Sequence, residues 1–209
     1  GPHQGILWGR REVLERLEPY KVRPAPADIP DCFETGTQSY EDFAGVAATV
    51  NYFAGIGESM AGDYMSRWSQ FSGRRQALHA AMDFLFDYEK TLAGSLIDGL
   101  TQLDGVVIQG ITASNAMDRR APTVAFSLDS VASSAIAATR AKQNMFVWSG
   151  HNYAIEVVKT LGIYETGGAV RIGPVHYNSL AEIDRCLSAL EETLDSHRAA
   201  RRPGQTSPA

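Results

Sequence analysis

The sequence is short of several things at once, and each shortage excludes something. It holds two cysteines in 209 residues, Cys32 and Cys186. They lie far apart and form neither a redox pair nor a metal-ligand spacing, so a disulfide scaffold is excluded and a reducing, cytoplasmic compartment is expected. No apolar run approaches the roughly 18 residues of a membrane span, and no basic start followed by an apolar core is present. Basic residues number 19 against 24 acidic ones, a formal charge of -5. That balance gives no footprint for nucleic acid. No Gly-x-Ser-x-Gly elbow occurs, and no His/Asp/Glu grouping has the spacing of a metal site, so no metal is expected. What remains is 44% hydrophobic and 21% charged, ordinary for a globular protein of one large or two small domains.

The first third alternates between apolar and broken segments. Gly5–Gly9 is an apolar run of strand length, and Arg11–Leu17 has helical spacing. Prolines at 19, 24, 26 and 30 make the next stretch an extended loop. Phe43, Val46, Ala47, Val50 and Phe53 then step by three or four, predicting a helix from Tyr40 to Ile56 that ends at Gly55 and Gly57. From Ser72 to Leu103 one stripe (Leu78, Met82, Leu85, Tyr88, Leu92, Leu96, Leu100) predicts a single long helix.

Beyond it the pattern is compact. Strands are predicted at Gly105–Gln109, Thr123–Ser127, Met145–Trp148 and Ala169–Gly173. Helices are predicted at Ser133–Gln143, Tyr153–Leu161 and Leu180–Arg198. The order β-β-α-β-α-β-α is that of a small α/β layer. The first part has one strand and no partner for it. Unpaired backbone groups are costly to bury, so that strand is expected to complete a sheet supplied from elsewhere.

Three segments could carry chemistry. Glu34-Thr35-Gly36-Thr37-Gln38 offers a glycine, a hydroxyl and a helix start within a few residues, which suits a phosphate or serves as a plain cap. Arg171 lies between Val170 and Ile172 in a predicted strand. A buried guanidinium there needs an anion, either an internal acid or a ligand. Ser149-Gly150-His151-Asn152-Tyr153-Ala154 is a helix-entry loop in which His151 and Tyr153 either pack or touch a ligand.

Taken together, Gly1-Pro2-His3, Phe33-Glu34-Thr35-Gly36-Thr37-Gln38 and Val170-Arg171-Ile172-Gly173-Pro174-Val175-His176-Tyr177-Asn178 resemble the later half of a class V aminotransferase, the cysteine desulfurase-like group. The resemblance implies an α/β fold-type I transferase and pyridoxal 5'-phosphate as cofactor. It places Gly36 and Thr37 on the cofactor phosphate of a neighbouring subunit in a dimer. Arg171 then falls on the α-carboxylate of an amino-acid substrate, with His151 and Tyr153 beside that substrate. Desulfurases of the group carry a cysteine in a Gly-His-His-Cys-Ala-like loop, where this chain has Tyr153. That departure argues against a protein persulfide; the leading expectation is carbon–sulfur bond cleavage, desulfurase-like or by a lyase, with aminotransferase or epimerase chemistry as the alternative.

The group's cofactor lysine stands just before Gly-Pro-His, and none of Lys21, Lys90, Lys142 and Lys159 has that context. No catalytic residue is therefore assigned in this chain. The expected partner is an N-terminal half, as a separate chain or a cleaved segment, without which the chain is inert. The resemblance divides the chain into a remainder of the cofactor domain (1–72), a connecting helix (73–103), a small α/β domain (104–198) and a tail (199–209). A non-catalytic interaction module that has kept the fold is the competing reading.

Overall fold

A computed structural model describes residues 1–34, 36–128 and 131–201. The chain divides into two compact units, Gly1–Phe84 and Leu85–Ala209.

The first unit is helical. It contains α1 (Arg11–Leu14), α2 (Tyr40–Ser59), α3 (Gly62–Met65) and the start of α4 (Gly73–Thr101). Residues 1–10 carry no ladder hydrogen bonds, and among the described residues the first unit has no strand for Gly5–Gly9 to pair with. Ile6, Leu7 and Trp8 are instead 73, 84 and 80% exposed. Apolar character made this run suitable for a strand, but a strand exists only where a neighbour accepts its hydrogen bonds. Helix α2 also runs past both glycines expected to end it and stops at Ser59. Gly57 is used for close packing rather than termination, since a Cβ there would strike the backbone carbonyl of Ala77 in α4. Nearby, the rings of Trp68, Phe71 and His79 stack on one another, and the Trp68 indole N–H donates to Asp83 at 3.0 Å.

The second unit follows the predicted order. After α4 come β1 (Val106–Gln109), β2 (Val124–Leu128), α5 (Ser133–Ala141), β3 (Trp148–Gly150), α6 (Ile155–Thr160), β4 (Ala169–Ile172) and α7 (Leu180–Arg201). The strands form one antiparallel sheet in the order β1-β2-β4-β3. Strand β3 begins three residues later than the sequence suggested, and α6 two residues later.

The sheet has a packed face and an open one. Val124, Phe126, Leu128, Val170 and Ile172 point into a core with Leu92, Leu96, Leu100, Ile136, Ile183, Leu190 and Leu194 from the helices. Alternate residues on the other face, Val107 and Arg171 among them, meet solvent. Period-two alternation on a half-covered antiparallel sheet produces this division. Of the stripe predicted on α4, Leu85, Leu92, Leu96 and Leu100 are buried, while Met82 is exposed. Ser179 and Glu182 form a capping box at the start of α7: the Ser179 N–H donates to Glu182 Oε2 at 2.8 Å, and the Glu182 N–H reaches back to Ser179 Oγ at 3.3 Å. These bonds hold the Glu182 carboxyl below its ordinary pKa, the backbone donor foremost. Arg140 is wholly buried between α5 and α7, where it donates to the Thr193 hydroxyl. Of the tail expected at 199–209, residues 202–209 lie outside those described.

Candidate active site

Strand β4 presents Arg171 on the open face, because its neighbours Val170 and Ile172 take the core face. The expectation of a buried guanidinium is thus corrected: alternation sends the side chain outward. Among the described residues no acid pairs with it, and its side chain makes no hydrogen bond. It borders a concavity of about 600 Å³ lined by Thr123, Ala141, Phe146, Val147, Trp148 and Gly173. None of those residues is acidic. An arginine with free donors beside a cavity without a counter-charge is suited to an incoming carboxylate.

The surroundings of Arg171 are held in place from several sides. Ala125 of β2 and Trp148 of β3 lie directly opposite it in register. Arg120 ties the β1–β2 connection together, donating to the carbonyls of Ile111 and Thr123. Burial lowers its pKa from the ordinary value, though not its role as a donor. The loop after β4 is anchored on α4, where the Tyr88 hydroxyl donates to the Asn178 carbonyl at 2.6 Å and the His176 N–H donates to Glu89 Oε1 at 3.1 Å. Asn178 Oδ1 accepts from the Val175 N–H at 3.0 Å, so this side chain shapes its own turn. Tyr177 stays exposed.

His151 and Tyr153 do not line the Arg171 concavity. They follow β3 at the end where Gly150 pairs with Ala169, which is the far end of β4 from Gly173. Two residues of extended chain, roughly 7 Å, separate that pair from Arg171. The Tyr153 N–H donates to His151 Nδ1 at 3.1 Å, so the neutral ring carries its proton on Nε2. Tyr153 itself is 95% exposed. Asn152 and Tyr153 both adopt left-handed backbone, at φ 50° and 61°. The turn is packed against Gly168, where any Cβ would strike the Gly150 carbonyl.

Gly36 and Thr37 belong to the first unit. Gly36 has φ +77°, with open space where a side chain would stand. The conformation favours glycine, and the missing side chain leaves the backbone approachable. Thr37 is exposed, and among the described residues its hydroxyl meets no partner. Ser39 precedes α2 without capping it, giving its hydroxyl to Asp42 at 2.9 Å instead. The first N–H groups of a 20-residue helix are therefore left open, as a phosphate requires. Glu41 and Asp42 in that first turn oppose an anion in part. The donor set fits a phosphate held by backbone N–H groups and the Thr37 hydroxyl. Thr35 lies outside the described residues.

The four lysines are occupied or peripheral. Lys90 donates to Asp118 at 2.7 Å and pairs with Asp87 at 3.1 Å, and those acids raise its pKa. Lys159 pairs with Glu156 at 3.0 Å, and Lys21 donates to the Ala25 carbonyl at 3.1 Å. Lys142 is exposed just after α5. Both cysteines are buried, and burial raises the Cys186 thiol pKa. Among the described residues no three His, Cys, Asp or Glu side chains gather as a metal site, and no helix is long and apolar enough to cross a membrane.

The aminotransferase class-V family model matches residues 4–186. The chain belongs to that family. Probable cysteine desulfurases of Staphylococcus aureus and Staphylococcus epidermidis are each 26% identical to it over 200 residues. Those matches cover 90% of this chain and 41% of each relative, so the chain spans well under half the length of these relatives. An apo cysteine desulfurase structure from Thermococcus onnurineus NA1 superposes with a TM-score of 0.66 at 24% identity, over 90% of this chain and 42% of that one. The fold is therefore that of the class V group, whose members use pyridoxal phosphate.

Sequence reasoning picked out Arg171 but missed Trp148 and Phe146 beside it. The aromatic pair in Met145-Phe146-Val147-Trp148 was visible as strand composition only. Its relation to Arg171 depends on a pairing between strands some twenty residues apart.

Proposed function

We propose that this chain is the C-terminal part of a pyridoxal-phosphate enzyme that acts on an α-amino acid and cleaves a carbon–sulfur bond. The observation that carries the reading is the free guanidinium of Arg171 beside a concavity with no acid in its wall. Arg171 binds the substrate α-carboxylate through its planar fork of donors, which sets the orientation of the α-carbon. Gly36, Thr37 and the open start of α2 hold the cofactor phosphate of a neighbouring subunit in a dimer. When bound, the cofactor supplies an electron sink for negative charge at the α-carbon.

The lysine that carries the cofactor is supplied by an N-terminal half, either continuous with this chain or a separate polypeptide. Lys90 is unsuited to that task, since paired carboxylates keep its amine protonated. In this reading residues 1–72 complete the cofactor domain, 73–103 connect, and 104–198 form the small substrate-side domain. His151 and Tyr153 belong to the substrate side. Tyr153 offers no thiol, so the sulfur leaves with the product rather than on the protein. Two buried free thiols suit the reducing cytoplasm.

The test is Arg171→Ala in the complete enzyme. Amino-acid affinity is expected to fall by a factor on the order of 100, the loss of a charge-assisted bidentate contact. Cofactor retention, read from the visible spectrum, is expected to be unchanged. Loss of cofactor with intact substrate binding would reverse the assignment.

A further inference from the structure

The wall of the Arg171 concavity contains an aromatic pair that carboxylate binding does not use. Trp148 stands directly opposite Arg171 in the β3–β4 register. Directly opposed residues place their side chains on the same face, with Cβ atoms about 4.5–5.5 Å apart. The indole and the guanidinium therefore share one surface. Trp148 is 59% exposed and Phe146, two residues before it, is 86% exposed. Both line the concavity.

Neither ring is engaged within the described chain. The indole N–H has no hydrogen-bond partner among the described residues. The cation–π contacts among the described residues fall on Tyr64, Phe71, Phe86 and Tyr164, so Arg171 does not lie over the indole. Large aromatic surface left wet beside an unpaired charge suits a molecule that is anionic at one end and flat and apolar at the other. The wall has no acid to receive a cationic side chain.

We infer that Trp148, flanked by Phe146, is the specificity-determining wall of the substrate site. The substrate class is an α-amino acid whose side chain ends in a flat apolar group; for carbon–sulfur cleavage, that is a cysteine thioether with an aromatic or similar S-substituent. The carboxylate and the side chain of such a substrate diverge from one carbon. A carboxylate on Arg171 thus puts the S-substituent within one side-chain length of the indole. This inference rests on the carboxylate role of Arg171 proposed above.

The experiment is calorimetric titration of the complete enzyme with 3-(benzylthio)propionate and with propionate. Both lack the amine and are not turned over. The wild type is expected to bind the benzylthio compound at least about tenfold more tightly, the scale of one aromatic contact. Trp148→Ala should remove that preference while leaving propionate affinity unchanged, and Trp148→Phe should keep most of it. Arg171→Ala should weaken both compounds together. A Trp148→Ala enzyme that still prefers the benzylthio compound, or a wild type with no preference, overturns the aromatic wall alone. An Arg171→Ala enzyme that binds both as before overturns the carboxylate site beneath it.

Discussion

Phe126 of β2 is fully buried, whereas Trp8, a larger apolar side chain near the N-terminus, is 80% exposed. The contrast extends to the two units they belong to. Leu85 onward has a sheet with its own helical cover and a continuous apolar core. Residues 1–84 have helices, no strand among those described, and a run of exposed apolar side chains from Ile6 to Trp8. Exposed apolar clusters of this kind mark surfaces meant to be covered. The later unit is held by contacts of its own, and the earlier one leaves much of its apolar surface exposed.

Paired truncations test this most severely. In thermal or denaturant unfolding of this chain, Phe126→Ala is expected to cost about 3–5 kcal/mol, and Trp8→Ala less than about 0.5 kcal/mol. Comparable losses at both positions would erase the distinction. Gly57→Ala sharpens it from the other side. The methyl would press on the Ala77 carbonyl, and overpacking of this kind costs about 1–3 kcal/mol. A neutral result would mean that the first unit has no fixed packing between α2 and α4. Ser179→Ala, which removes the cap of α7, is expected to cost about 1 kcal/mol, measured by chemical denaturation. A smaller effect involves pH. Burial raises the Cys186 pKa in the folded chain, while nearby Arg140 and Arg185 lower it in part. The unfolded thiol ionises first, near pH 8.5, so the stability present below that pH declines as pH rises toward the folded value. Melting curves across this range should fall less steeply for Cys186→Ala.

Much of the second unit was legible because its elements are locally coded. The α4 stripe, the β-branched runs and the Gly-rich turns each point to one structure. Register was not legible, since β4 pairs with β2 and β3 through side chains distant in sequence. Val170-Arg171-Ile172 pointed to the right residue for the wrong reason: the flanking apolar residues suggested a buried guanidinium, whereas alternation on a one-sided sheet turns it outward. The Gly5–Gly9 run is a different case. Composition reports what a segment tolerates, and only a neighbouring strand makes it a strand. Gly36 and Thr37 were legible as a glycine and a hydroxyl before a helix, but the uncapped start of α2 required coordinates.

The alternation along β2 and β4 has a consequence for how a chain of this fold changes over evolutionary time. Phe126, Val170 and Ile172 hold the domain together, while Ala125, Arg171 and Trp148 sit one residue away with their side chains on the opposite face. Exchanges at Ala125 or Trp148 can therefore reshape that face with little penalty in folding, and if it is the substrate face proposed above, new preferences can be explored on a scaffold that stays intact.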